Sequence, residues 1–354
     1  MEVINHNKEI SNTSISSPPF EISYENLADI KDILSEQNIL CAIRFGDYLT
    51  SIDDPRVITV NLPELQVSQL STVEVWRTTQ KFETGYDKER GIWYSRTDSI
   101  LFGYLQIEED NISSLNEITY RIYRSIIECQ QNLNYPYLLR TWNYLPHIHN
   151  EEEGLERYRA FCLGRHRILE TLPNFERFLV AATAMGTSTG KILVYFLATT
   201  SPGERVENPR QVSAFRYPFY YAPRSPSFSR ATLKKWHSEI HFYISGTASI
   251  IGHETKHIGK PLTQLEETLN NLAALIKNAN QSHQLRIKNL QELSLLKIYI
   301  RQGIEVGPIA QYLKETLRNT VPTIFLQGDI CREELLVEIE AFYREQIKIS
   351  ELTY

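Results

Sequence analysis

Residues 115–133 read LNEITYRIYRSIIECQQNL. Apolar side chains recur there at Ile118, Ile122, Ile126, Cys129 and Leu133, the three-to-four spacing of one helical face. The segments before it have a different period. Residues 39–45, 57–62, 73–77 and 92–107 are β-type runs, the last long enough for two strands. The change of period at residue 115 marks a helix laid against a sheet. Downstream, 137–144 reads as a strand and 152–172 as a second helix. Residues 178–185 and 191–198 are apolar strands about the Ser/Thr-rich turn at 186–190. The same order then returns: a strand at 240–251, a helix at 262–278 with Pro261 at its start, a strand at 295–302, a helix at 306–318, and strands at 322–327 and 335–342. Both halves read strand, helix, strand, helix, strand, strand, without a residue-level repeat. The expectation is an α+β fold of mixed sheets with helices packed on them. It divides into an N-terminal half, 21–200, and a C-terminal half, 201–354, with a ligand site between duplicated units. Residues 1–20, rich in Asn and Ser and ending near Pro18-Pro19, read as a disordered arm.

Composition narrows the function classes. The chain has 354 residues, 42% hydrophobic and 23% charged, with a formal net charge of -6. That is the make-up of a globular protein. No basic block occurs, so nucleic-acid binding is not expected. An anionic ligand has to be drawn by local arginines, against the overall field. Cys41, Cys129, Cys162 and Cys331 lie far apart and form no CxxC pair. They read as reduced thiols of a cytoplasmic protein, not as a disulfide framework or a zinc site. The N-terminus is polar, and no run of about 18 apolar residues exists, so neither a signal peptide nor a membrane span is expected.

Most short motifs fail their structural requirements. His253-Glu254-Thr255-Lys256-His257 matches HExxH, but a zinc site needs both imidazoles on one helical face. Gly252 before it, with Gly259 and Pro261 after it, leaves room only for a loop. The glycine spacing at 186–190 is not that of a P-loop, and no GxSxG or GxGxxG follows a strand. Arginine density is more informative. Arg157, Arg159, Arg165 and Arg167 share one helix, with Arg157 and Arg165 facing roughly the same way beside Tyr158 and Cys162. Residues 200–235 hold five prolines, seven lysines or arginines and six aromatics. They read as a long ordered connection of functional kind. Arg210, Arg216, Arg224 and Arg230 recur in it beside Tyr217 and Tyr221. Arginine binds carboxylates bidentately, so a compact dicarboxylate suits such a site, although any one of these arginines could equally be a paired surface residue. In the last strand Leu335, Val337, Ile339 and Ala341 alternate to one face, and Leu336, Glu338, Glu340 and Phe342 to the other. Two carboxyls bracketed by apolar residues are candidates for a raised pKa and general-acid work, unless the strand is an exposed edge.

Four segments together carry a resemblance: RYRAFCLGRHRIL (157–169), ENPRQVSAFRYPFYYAPRSPSFSRA (207–231), FYISGTASIIGHETKHIG (242–259) and FLQGDICREELLVEIEAF (325–342). They resemble the chorismatase family, from about residue 90 to the end. The resemblance implies a RidA/YjgF-like fold in which the units of a trimer are fused into one pseudo-symmetric chain, and hence a monomer. It implies an active site in the C-terminal half, with neither metal nor organic cofactor. Glu338 matches the family's catalytic glutamate. Tyr158, Arg165, Tyr217, Arg224 and Arg230 match positions that hold the substrate's carboxylates and ring. Gly246 and Cys331 match the members that form 3-hydroxybenzoate: glycine would enlarge the pocket, and the thiol would take part in proton transfer. The implied reaction converts chorismate to 3-hydroxybenzoate and pyruvate, by protonation of the enolpyruvyl methylene. The alternatives are hydrolysis to a dihydroxycyclohexadiene carboxylate, or a RidA-like binding or deaminating protein without a chorismate site. The older reading of such sequences as pteridine-dependent deoxygenases has no support in the residues.

Overall fold

A computed structural model of the chain describes residues 18–347, apart from 47–49, 68–70, 110–113, 219, 220 and 222. The strand order that the sequence shows twice occurs three times, the first time without a helix between the second and third strands. The first unit comprises β1 (Glu21–Asn26), α1 (Ile30–Ser35), β2 (Ile39–Phe45), β3 (Val57–Val60) and β4 (Thr72–Arg77). In the second, β5 (Glu83–Asp87), β6 (Ile92–Arg96) and β7 (Ile100–Ile107) lead into α2 (Leu115–Asn132) and β8 (Tyr137–Pro146). A small hairpin of β9 (Glu151–Glu152) and β10 (Leu155–Glu156) precedes α3 (Arg157–Leu169), β11 (Ala181–Thr187) and β12 (Ile192–Thr199). The third unit opens with β13 (Glu204–Val206), β14 (Ala231–Lys235) and β15 (Glu239–Ala248), then the short β16 (Ile250–Ile251) and β17 (Glu254–Thr255). It continues through α4 (Pro261–His283), β18 (Leu295–Ile300), α5 (Val306–Leu317), β19 (Thr323–Gln327), β20 (Asp329–Ile330) and β21 (Val337–Gln346).

Each unit contains one run of four strands with the same connectivity: β1-β4-β2-β3, β7-β12-β8-β11 and β15-β21-β18-β19. In every run the third strand is parallel to the fourth and antiparallel to the second. The fold is α+β, and the fused three-unit arrangement implied by the resemblance is visible in this threefold topology. The first unit escaped the sequence reading because its helix has only six residues and its fourth strand only four. Helix α3 starts at Arg157, later than the apolar spacing indicates. The left-handed turn at Glu153 and Gly154, with φ of 54° and 77°, first folds the chain into the β9–β10 hairpin.

The packing explains the layering. Helices α2 and α3 cover the outer face of the second sheet, α4 and α5 that of the third, and α1 that of the first. The three inner faces meet in one shared core that includes Trp76, Phe102, Trp142, Tyr195, Tyr299 and Phe342. Hydrogen bonds from backbone amides close the seams. The Leu65 amide donates to the Phe325 carbonyl at 2.8 Å between the first and third units. The Ala182 amide donates to Ser245 Oγ at 2.9 Å between the second and third. The expected N-terminal arm falls on residues 1–17, outside the described residues, for all but its end. That end is ordered: Phe20 is fully buried and stacks on Trp76 with ring centroids 4.8 Å apart. Among the described residues no helix is long and apolar enough to cross a membrane.

Truncating Phe20 removes an aromatic wedge from the shared core without touching any charged group. Phe20→Ala is expected to cost about 3–5 kcal/mol in urea unfolding. An unchanged midpoint would show that residues before β1 contribute nothing to the fold.

Candidate active site

Strand β21 lies between β15 and β18, so it is an interior strand and not an exposed edge. Val337, Ile339 and Ala341 face the α4–α5 layer, while Glu338, Glu340 and Phe342 face inward. Leu336 packs with the helical layer and does not bracket Glu338 as the alternation indicated. Both glutamates are buried, at 5% and 6% exposure, and their surroundings differ sharply.

Glu340 is saturated with partners. Trp142 Nε1, Thr183 Oγ1 and Tyr299 OH donate to it at 2.8, 2.7 and 3.0 Å. Arg140 Nη2 lies 3.1 Å away and Lys297 Nζ 3.2 Å away. Burial by itself would push this carboxyl up, but Lys297 and Arg140 outweigh it and hold it down to about 2. Lys297 also pairs with Glu74 of the first unit at 2.8 Å. The network therefore draws on all three sheets. Glu338 has no hydrogen bond to its side chain among the described residues. Desolvation, reinforced by the negative charge of Glu340 and only partly opposed by Arg140 and Arg230, raises its pKa to about 8. Two carboxyls on one strand face thus hold opposite protonation states at neutral pH.

The backbone makes room for this acid. A bulge in β15 sets Ser245 and Gly246 between the partners of Ala341 and Ile339. A Cβ added at Gly246 would fall 1.9 Å from Glu338 Oε1. The glycine therefore accommodates the carboxyl itself, a role different from the pocket enlargement implied by the resemblance.

Glu338 opens into a cavity of about 380 Å³ that is also lined by Cys331, Tyr158, Tyr217, Arg230 and Gly246. An inner recess shares Glu338, Cys331 and Gly246 and is lined by Arg165. Seven of the eight residues singled out from the sequence converge here. Arg224 does not: it is exposed and lies 3.8 Å from Glu170. The 207–231 segment carries Arg224 and Arg230 six residues apart, and only Arg230, next to β14, is buried. Arg157, expected to face with Arg165, instead turns to Glu109 and to Glu152 and donates to the Pro146 carbonyl. Residues missed by the sequence reading include Gln211, Phe228 and Arg332, and Tyr221, noted there only as a neighbour of the arginines, also lines the cavity. The connection at 200–235 supplies several of them, as its composition indicated. Arg332 sits beside Cys331 in a segment already singled out, yet nothing in its spacing marked it.

Ion pairing sorts the arginines. Arg157, Arg159, Arg167, Arg210 and Arg224 each have a carboxylate partner. Arg165 and Arg230 have none among the described residues, and the Nε of each is buried without a hydrogen-bond partner there. Two cavity-lining guanidinium groups without a carboxylate partner leave positive charge at the site, which suits an anionic ligand. Arg230 Nη2 donates to Tyr217 OH at 2.8 Å, which fixes both side chains. The Tyr158 hydroxyl stands close to the thiols of Cys162 and Cys331. Burial pushes both thiols up to about 12, so each is a neutral S–H and not a thiolate nucleophile. The HETKH segment is not helical: β17 occupies Glu254–Thr255, and His257 adopts a left-handed φ of 57°. His257 faces Glu267 at 3.2 Å, and His253 Nδ1 bonds with the Tyr221 hydroxyl at 3.0 Å, so the two imidazoles do not share a helical face.

In sequence and in fold the chain is similar to known chorismatases. The family model described as chorismatase FkbO/Hyg5-like, N-terminal, matches residues 74–198. A chorismatase of Streptomyces hygroscopicus is 36% identical over 272 residues, which cover 75% of this chain and 78% of the relative. A 3-hydroxybenzoate synthase, also of Streptomyces hygroscopicus, is 31% identical over 318 residues, covering 86% and 91%. A chorismatase crystal structure superposes with a TM-score of 0.84 at 32% identity, over 93% of this chain and all of that one (100%).

Lys297→Met leaves Glu74 and Glu340 buried with less countercharge. The expected loss is about 3–5 kcal/mol of unfolding free energy at pH 7. A variant as stable as the parent would show that the internal ion network is not what holds Glu340 ionised.

Proposed function

Because this chain belongs to the chorismatase family, we propose that it converts chorismate to 3-hydroxybenzoate and pyruvate, with Glu338 as the general acid. The observation that carries the proposal is a buried carboxyl, without an ion pair among the described residues, opening into a cavity lined by arginines that likewise have no carboxylate partner there. Chorismate is a dianionic enol ether. Arg165 and Arg230, with the hydroxyls of Tyr158 and Tyr217, supply donors for its two carboxylates. The Glu338 proton passes to the terminal methylene, whose π electrons form the new C–H bond and leave an oxocarbenium ion. Proton transfer to carbon is slow, so the acid has to be both fixed in place and protonated at working pH. As the ring C3–O bond breaks and pyruvate leaves with that oxygen, the neighbouring 4-hydroxyl oxygen closes on C3 and gives up its proton. Opening of the C4–O bond returns that proton to the oxygen, now on C3, and loss of the C3 hydrogen as a proton aromatises the ring to 3-hydroxybenzoate and restores the acid. Chorismate equals hydroxybenzoate plus pyruvate in atoms, so no water is consumed, whereas the diene-diol product requires one.

Product identity rests on Gly246 and Cys331. Cys331 is a small neutral group on the cavity wall between Tyr158 and Glu338, placed to influence where the ring proton goes. Gly246 fixes where the acid stands. The two positions therefore separate in their effects. Cys331→Ala is expected to shift the ratio of 3-hydroxybenzoate to other ring acids while pyruvate release stays within about threefold. Gly246→Ala is expected to lower pyruvate release itself by about tenfold or more, because its methyl group displaces the carboxyl. Chromatography of the ring acids beside a coupled pyruvate assay reads both. Equal behaviour of the two variants would remove the distinction.

Glu338→Gln keeps the volume and removes the proton. Pyruvate release should fall by about 10²–10⁴-fold. The pH dependence has a definite sign. The raised pKa of Glu338 keeps the active acid form populated below about 8, so kcat/KM is flat through neutrality and falls above that value. A rate that instead rises through pH 8 would assign Glu338 to a base.

A further inference from the structure

Among the described residues a third arginine on the cavity wall has no carboxylate partner. Arg332 lies half-buried beside Cys331, and its guanidinium stacks 4.2 Å over the ring of Tyr221 and 5.3 Å over that of Tyr217. Nη1 donates to the His253 carbonyl at 2.9 Å and to Thr255 Oγ1 at 3.2 Å. Both acceptors are neutral. Its neighbours Glu333 and Glu334 also line the cavity but form no ion pair with it, so its charge is held in place without a carboxylate in contact. Among the described residues its hydrogen bonds use Nη1 alone, which leaves the Nε and Nη2 donors for a ligand. Two aromatic faces and two fixed acceptors hold the guanidinium before any ligand arrives, which lowers the entropy lost on binding.

The position differs from those of the other two cations. Arg165 sits in the inner recess. Arg230 is close enough to Glu338 to oppose its rise in pKa, so its charge already acts at the reacting end. Arg332 is the most exposed of the three, whereas Arg165 and Arg230 are 3% and 4% exposed. In a chain of net charge -6, with Glu333 and Glu334 on the same wall, the entering dianion meets an unfavourable field, and a fixed cation at a more open wall offsets it locally.

We propose that Arg332 is a third carboxylate-binding residue, which captures the dianion at the more open side of the cavity and sets the preference for dianionic over monoanionic ring acids. This rests on the chorismatase reading. Arg332→Gln should raise KM for chorismate about tenfold or more, with kcat changed by less than about threefold, the pattern of a lost binding contact. Arg332→Lys, which keeps the charge but not the planar stack, should fall between. Calorimetry supplies the second readout, with benzene-1,3-dicarboxylate as dianion and benzoate as monoanion. Arg332→Gln should weaken the dicarboxylate markedly more than benzoate. An unchanged KM together with an unchanged dicarboxylate affinity would overturn the proposal. Equal weakening of both anions with a lowered Tm would also overturn it, leaving Arg332 as a strut for the His253–Thr255 segment. If the parent protein releases no pyruvate from chorismate, the proposed function fails, and the two anions still decide the role of Arg332.

Discussion

Two carboxyls stand two residues apart on one face of a buried strand, and the protein supplies close cations to only one of them. That inequality is the constraint on which the site depends. Glu340 receives Lys297, Arg140 and three hydrogen bonds and stays ionised. Its negative charge, added to desolvation, keeps the proton on Glu338. Had the same cations faced Glu338, the strand would carry an ionised group at the cavity and no acid at neutral pH.

The fold provides this inequality through its threefold arrangement. Three sheets turn their inner faces to one core, and each contributes to the ion network: Glu74 from the first, Arg140 and Thr183 from the second, Lys297 and Glu340 from the third. The cavity lies off this centre, where α3, the 200–235 connection and the bulged strand β15 approach β21. The bulge is what lets a carboxyl stand where a side chain at position 246 would otherwise be. A rigid, close-packed centre thus feeds charge to a site that remains open to a ligand.

Much of this was legible in the residues, and the rest was not for identifiable reasons. The change of period at residue 115 located α2 correctly, and the alternation at 335–342 put both glutamates on one face. Alternation cannot tell an interior strand from an edge, because that depends on which strands pair with it, and here β15 and β18 do. Nor could it say which glutamate holds the proton, since Lys297 and Arg140 come from distant strands. Arg224 and Arg230 look alike in sequence and differ in burial and partners, which only the fold decides. Gly246 reads as a small residue, and its function as space for Glu338 appears only in three dimensions. Arg332 was passed over because nothing in sequence separates an arginine stacked on two tyrosines from a solvated one.

The site therefore depends on a proton whose position is fixed by unequal countercharge. A neutron structure of the unliganded protein crystallised near pH 7 locates it directly. The account predicts deuterium on the carboxyl of Glu338 and none on Glu340. Deuterium on Glu340, or its absence from both, would contradict it.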